Sequence, residues 1–306
     1  VLLAAALEAV RARGATLAAL RADGLQLHSG EQDLRVPVKA SATPTELGPQ
    51  DLVVVAVKAP GLAEVARHIA PLIGPHTLVL TAMNGVPWWF FQGFGGAFEN
   101  TQLQTLDASG EIAAAIPGAQ VIGCVVHASC ALLAPGQVQH HFGNALIIGE
   151  PAGGQSERVQ QLAALLTQAG FDTQVSAQIQ KDIWFKLWGN MTMNPISALT
   201  GATTDVVLGD ELVRGFISQV MLEAKEIGAR IGIPIDQQPE DRHQVTLKLG
   251  AFKTSMLQDV EAGKGIELDA LVTAVKELGT LTGVATPFTD ALLGLTRLFA
   301  RERGLY

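Results

Sequence analysis

The hydrophobic pattern of the chain changes about halfway along its length. In the first half, short continuous apolar runs such as 51–57 (DLVVVAV) predict strands that are buried on both faces. Helical spacing lies between these runs, and Pro135-Gly136 predicts a hairpin turn. The predicted elements are a helix at 15–22, a strand at 51–57, a helix at 62–73, and strands at 77–83, 121–126 and 145–149. Strands alternating with helices predict a doubly wound, mostly parallel sheet, with extra strands on one edge.

Helical spacing continues through nearly all of the second half. The predicted helices are 177–199, 210–231, 239–249, 252–262, 267–282 and 288–300, joined by short linkers that carry Gly or Pro. We therefore predict an α/β protein with a Rossmann-like sheet domain at 1–176 and an all-helical domain at 177–306.

Composition narrows the class of protein. The chain has 306 residues, of which 48% are hydrophobic and 16% charged, which suits a well-buried enzyme of two domains. A net charge of −8 argues against a nucleic-acid partner, and no apolar run reaches the roughly 18 residues of a membrane span. Two cysteines allow no disulfide framework beyond one pair, so a reducing cytoplasm is expected.

The segment 183–199 (IWFKLWGNMTMNPISAL) carries the most informative pattern. It predicts a buried helix, yet Lys186, Asn190 and Asn194 recur at i, i+4 and i+8 and so lie along one side of it. A lysine is rarely buried without a partner, so this polar stripe predicts contact with a bound ligand. The alternative is a lysine that reaches the surface while two amides bond to local backbone.

Polar side chains also follow three apolar segments of the first half. Arg13 follows an early strand, Lys58 follows 51–57, and Asn84 follows 77–83. Ligands of open α/β sheets bind at the carboxyl ends of strands, so these residues predict one crevice. At such a position an arginine can meet a 2′-phosphate, which favours NADPH over NADH. The alternatives are a solvated loop charge at Arg13 and turn chemistry at Asn84-Gly85.

A second cluster lies at 254–269 (TSMLQDVEAGKGIELD). Ser255 begins one helix, and Glu267 lies in the first turn of the next, where the helix N-terminus favours an ionised carboxylate. Ordinary helix capping would explain both residues equally well. His127, His140 and His141 lack the spacing of metal ligands, so we predict no metal site.

Together these motifs resemble the ketopantoate reductases, also called 2-dehydropantoate 2-reductases, over nearly the whole chain. The residues that carry the resemblance are Arg13-Gly14, VKAP at 57–60, MNGVP at 83–87, WFKLWGNMTMNP at 184–195, SMLQD at 255–259, and Glu267 twelve residues after Ser255. The resemblance implies an NADPH-binding Rossmann domain with extra strands, a helical domain, and an active site in the cleft between them. The implied reaction is NADPH-dependent reduction of ketopantoate to pantoate, in pantothenate and coenzyme A synthesis.

The resemblance also implies a role for each candidate residue. Lys186 takes the place of the general acid, and Glu267 that of the carboxylate that binds the substrate hydroxyl. The substrate-binding positions fall on Asn190, Asn194, Ser255 and Asn84. Lys58 and Asn84 match residues on the nicotinamide side, and Arg13 matches the arginine near the adenosine phosphate.

Two features depart from the family pattern. The twelve residues before Arg13 hold no Gly-x-Gly-x-x-Gly turn, so the first strand is apparently missing. We expect the physical protein to carry roughly 20 further residues with that strand and turn. The segment 88–106, with paired tryptophans, is longer than usual and follows Asn84, so it bears on the exact substrate.

Other functions remain open at this point. One is a related NADP-dependent reductase of another 2-oxoacid, and another is a non-catalytic NADP-binding protein. The expected partner is a small-molecule substrate, without nucleic acid or membrane and with a homodimer as an open alternative.

Overall fold

The computed structural model describes residues 9–306. The elements of the first half are β1 Ala9–Arg11, α1 Gly14–Asp23, β2 Leu25–Ser29, β3 Gln32–Val36, β4 Lys39–Ser41, β5 Gln50–Val55, α2 Leu62–His68, β6 Ile73–Ala82, α3 Gln104–Asp107, α4 Glu111–Ala115, β7 Val121–Ala134, β8 Gln137–Gly149, α5 Glu157–Gln168 and β9 Asp172–Val175. Those of the second half are α6 Ile179–Thr200, α7 Thr204–Gly209, α8 Glu211–Arg230, α9 Pro239–Leu247, α10 Ser255–Glu261, a π-helical turn Asp269–Thr273, α11 Ala274–Thr282 and α12 Pro287–Glu302.

The described residues form two compact units. The sheet unit holds residues up to Ala56 together with Ala63–Ala82 and Ala114–Ile179, and the helical unit holds Val57–Leu62, Met83–Ala113 and Gln180–Tyr306. Because the chain passes between the units more than once, they are not separated by a single cut. The boundaries 1–176 and 177–306 therefore stay a prediction about folding domains.

A mixed sheet of seven strands dominates the sheet unit. Its order is β3-β2-β8-β7-β6-β5, and β9 pairs with β8 along the same edge as β2. The pairs β5–β6 and β6–β7 are parallel, whereas β7 and β8 form a long antiparallel hairpin that turns at Pro135-Gly136. β1 and β4 form a separate parallel pair. The predicted α/β class and the hairpin are confirmed.

The core of the sheet unit joins the sheet to one helix. Val159, Leu162 and Leu166 of α5 pack with buried side chains of β6, β7 and β8, such as Leu80 and Ile148. The i, i+3, i+7 spacing places the three α5 residues on one face of the helix, so the sheet and that face exclude water together.

Several predicted elements differ from those observed, and the predicted strands at 121–126 and 145–149 are parts of the longer β7 and β8. The strand at 51–57 was expected to be buried on both faces, but β5 pairs only with β6 among the described residues, and only Val55 is fully buried. The helix at 62–73 ends at His68, because Pro71 cannot continue it and lies in a separate 3₁₀ turn, Ala70–Leu72. The helix at 252–262 starts at Ser255, where the Thr254 hydroxyl accepts the backbone N–H of Leu257.

Two sequence expectations need separate mention. The missing first strand and glycine turn fall outside the described residues. Within residues 9–306, no helix combines the length and the apolar composition needed to cross a membrane.

Candidate active site

The polar stripe lies on α6, in the helical unit. Trp184, Leu187, Trp188 and Met191 are at most 2% exposed, so α6 is buried around most of its circumference. Lys186 is only half-buried, and its Nζ donates a hydrogen bond to Oδ1 of Asn84 at 2.8 Å. The sequence predicted that Lys186 contacts a bound ligand. In the structure, one partner of Lys186 is an amide of the same protein, 102 positions away in the chain.

A tight backbone contact positions Asn84. The next residue, Gly85, has φ +81°, and the N–H of Val86 donates to the carbonyl oxygen of Ala270 at 2.9 Å. A Cβ on Gly85 would lie 2.6 Å from that oxygen, so glycine is required both by the backbone angle and by the close approach. The segment that carries Asn84 is thereby fixed against the π-helical turn Asp269–Thr273, and π-helical turns occur frequently at functional sites.

Glu267 lies just before that π-helical turn and is 9% exposed. Its Oε1 accepts the backbone N–H of Ala59 at 3.0 Å. Burial raises the pKa of this carboxyl above its ordinary value, and the Ala59 hydrogen bond together with the charges of Lys58 and Lys186 opposes that rise. The helix N-terminus was expected to favour the ionised carboxylate; desolvation is the largest effect on this group and acts in the opposite direction.

Lys58 faces a second carboxylate in the helical unit. Its ammonium forms an ion pair with Asp259, whose side chain is 15% exposed. Sequence reasoning quoted Asp259 only as the last letter of SMLQD and assigned it no role. The charge of Asp259 also raises the pKa of Glu267, so the two acids and Lys58 form one electrostatic group.

Three predicted substrate-binding residues belong to the same unit. Asn190 is half-buried, Asn194 is 5% exposed and Ser255 is exposed. Within residues 9–306, their side chains have no hydrogen-bond partner, and the capping hydroxyl is that of Thr254. Buried amides normally have partners, so Asn194 is available to an external ligand.

Arg13 lies in the sheet unit, after β1 and immediately before α1. The predicted position at the end of an early strand is thus correct. Its guanidinium is not a free loop charge, because Glu64 contacts it at 2.7 Å. Arg11 contacts the same carboxylate at 3.2 Å, and sequence reasoning missed both Arg11 and Glu64. No local pattern joins residues 53 positions apart.

The first residues of the segment 88–106 are buried. Trp88, Trp89, Phe90 and Phe91 are at most 5% exposed, and the Phe90 ring lies 6.3 Å from that of Trp184. These aromatic rings belong to the core of the helical unit, and the bearing of the rest of the segment on the substrate stays a prediction. Within residues 9–306, no cluster of His, Cys, Asp and Glu could hold a metal ion.

Comparison with known proteins places the chain in a family. The model described as ketopantoate reductase PanE/ApbA matches residues 3–153, and the model for the C-terminal part of that family matches residues 178–300. The 2-dehydropantoate 2-reductase of Mesorhizobium japonicum is 46% identical over 295 residues, which cover 96% of this chain and 90% of that protein.

Solved structures agree with these matches. A candidate ketopantoate reductase from Ralstonia solanacearum MolK2 has 55% identity and a TM-score of 0.95, covering 100% of this chain and 94% of its own. D-mandelate dehydrogenase, solved with NADH and anilino(oxo)acetate, shares the fold with a TM-score of 0.84 at 19% identity, covering 100% and 94%. Fold and matches together define an NAD(P)-dependent oxidoreductase with a Rossmann-like sheet. More particularly, the chain belongs to the ketopantoate reductase family.

Proposed function

We propose that this chain reduces 2-dehydropantoate to pantoate with NADPH, a step of pantothenate and coenzyme A synthesis. The observation that carries the proposal is the Lys186–Asn84 hydrogen bond within the family motifs, beside a buried carboxyl in the same unit. That arrangement supplies a proton donor, a group that orients it, and a carboxyl for the substrate hydroxyl.

Lys186 acts as the general acid. When bound, the reduced nicotinamide supplies the hydride for the ketone carbon. The ammonium of Lys186 stabilises the negative charge that develops on the ketone oxygen and then donates its proton to that oxygen. Oδ1 of Asn84 accepts one N–H of the ammonium, and this hydrogen bond orients the ammonium.

Substrate recognition is divided among neutral donors and one carboxyl. Asn190, Asn194 and Ser255 hold the substrate carboxylate without adding a positive charge that would compete with Lys186. Glu267 accepts a hydrogen bond from the hydroxyl of the substrate. Its buried position strengthens that hydrogen bond, because water does not compete there.

The residues present fit the nicotinamide coenzyme at two points. Arg13 offers an exposed guanidinium to the 2′-phosphate at the start of a ten-residue helix. Lys58 and Asn84 would contact the nicotinamide end.

The exposed thiol of Cys130 is free, as a reducing cytoplasm allows, which supports a cytoplasmic location. A homodimer stays a prediction, to be checked by light scattering of the purified chain.

The test is turnover with a panel of 2-oxoacids and both reduced coenzymes. We expect 2-dehydropantoate with NADPH to exceed pyruvate and benzoylformate, the oxidised partner of mandelate. Lys181→Ala, at an exposed lysine earlier on α6, serves as the control and should keep wild-type turnover. Faster turnover of an acid that lacks the hydroxyl would assign the chain to another 2-oxoacid. Coenzyme binding without turnover of any acid would favour the non-catalytic alternative.

A further inference from the structure

Glu64 lies between two arginines in the sheet unit. Its Oε1 is 2.7 Å from Nη1 of Arg13 and 3.2 Å from Nη2 of Arg11, and its Oε2 accepts from Nη2 of Arg13 at 2.8 Å. The fork of Arg13 thus holds both carboxylate oxygens, as an arginine holds a phosphate. The hydrogen bond from Arg11, followed by that from Arg13, keeps the pKa of Glu64 below its ordinary value although partial burial opposes this.

The two arginines lie at the carboxyl end of a parallel strand and just before a helix. β1 ends at Arg11, and α1, a helix of ten residues, begins at Gly14. In α/β proteins ligands bind at the carboxyl ends of parallel strands, and the N-terminus of a helix favours an anion. The side chain of Arg13 is 63% exposed, so solvent species can reach it. The Nε of Arg11 is buried and has no hydrogen-bond partner within residues 9–306.

We propose that Arg11 and Arg13 together bind the 2′-phosphate of NADPH, and that Glu64 is an internal anion which this phosphate displaces. The inference rests on the NADPH-dependent function proposed above and extends it. Arg11 becomes a second phosphate-binding residue, and Glu64 becomes a residue that sets the preference between NADPH and NADH.

Charge explains the direction of the effect. A phosphate monoester carries about −1.5 to −2 charges at pH 7. The two guanidiniums and the carboxylate of Glu64 carry a net charge of about +1. The carboxylate also occupies the guanidinium N–H donors that the phosphate needs. NADH has no 2′-phosphate and leaves Glu64 in place. Removing the charge of Glu64 should therefore strengthen binding of the phosphate.

Calorimetric titration of the full chain tests this without turnover. Adenosine 2′,5′-bisphosphate and 5′-AMP differ only by the 2′-phosphate, so the ratio of their affinities measures the site. We expect the wild type to prefer the bisphosphate. Arg11→Ala should weaken the affinity for the bisphosphate by on the order of tenfold. Glu64→Gln should tighten it by roughly threefold to tenfold, and added salt should reduce both effects.

An exposed ion pair elsewhere gives the matched control. Arg230 and Glu226 of α8 are 2.8 Å apart, so Arg230→Ala and Glu226→Gln should leave the affinity ratio unchanged. A wild type without preference, an unchanged ratio in Arg11→Ala, or weaker bisphosphate binding in Glu64→Gln would each overturn the proposal. If Arg11→Ala fails to fold, the result for Glu64→Gln decides.

Turnover of 2-dehydropantoate, measured separately, keeps the two proposals apart. Turnover with NADPH but an unchanged affinity ratio would overturn only the assignment of Arg11 and Glu64. The expected ratios without turnover would overturn only the proposed reaction. A pair that is merely structural would shift the melting temperature of Glu64→Gln and leave the ratio alone.

Discussion

Truncation of Lys186 to alanine is the sharpest test of the proposed chemistry. Loss of a general acid lowers kcat by roughly 10²–10⁴, which corresponds to about 2.7–5.4 kcal/mol of transition-state stabilisation. The cost to folding should be smaller. The lysine is half-buried, and the freed Oδ1 of half-buried Asn84 can reach water, so the loss lies near the low end of about 1–3 kcal/mol.

A double-mutant cycle separates the charge from its orientation. Asn84→Ala keeps the ammonium but removes the hydrogen bond of 2.8 Å, which for a charged donor is worth about 1.5–3 kcal/mol. We expect Asn84→Ala to lower kcat by roughly tenfold or more in the wild type and far less in a Lys186→Ala background.

The assay follows the absorbance of reduced coenzyme at saturating NADPH and 2-dehydropantoate, with unfolding in urea measured in parallel. Lys181→Ala is the control for loss of a lysine from α6. Retention of more than about a tenth of kcat in Lys186→Ala would return this residue to a structural role. Additive effects of the two substitutions would show that Asn84 does not act through Lys186.

Three further predictions concern the other parts of the protein. Glu267→Gln should stabilise the fold at neutral pH while lowering activity. Burial raises the pKa of this carboxyl in the folded state above its ordinary value of 4.5. The wild type therefore loses stability as the pH rises from 4.5 through the folded-state pKa. Urea unfolding at about pH 4.5 and about pH 7 should show the advantage of the variant only at the higher pH. Gly85→Ala should cost more stability than Gly232→Ala, by roughly 1–3 kcal/mol in urea unfolding, because both have positive φ but only Gly85 would collide with Ala270; equal costs would contradict this. Arg13→Ala should weaken NADPH and leave NADH nearly unchanged in direct titrations, and an equal loss for both would make Arg13 a structural residue.

The elements that the sequence predicted well are those whose signal is local. α6 and α8 have long runs of helical spacing. Pro135-Gly136 forms the two-residue turn between the strands of the hairpin, β7 and β8. Strands β3 and β4 escaped prediction, because β3 is mostly exposed and β4 has three residues. Such strands are defined by distant partners, as in the pairing of β1 with β4, and not by their own composition.

The same division applies to the site. Spacing along one helix was enough to place Lys186, Asn190 and Asn194 on one side, because helical geometry relates residues four apart. Only the tertiary structure decided which groups they meet. The pairs Lys186–Asn84 and Ala59–Glu267 join residues 102 and 208 positions apart, and the raised pKa of Glu267 depends on the burial of a whole unit. Periodicity is a property of neighbouring residues, whereas desolvation and long-range hydrogen bonds exist only once the chain has folded around them.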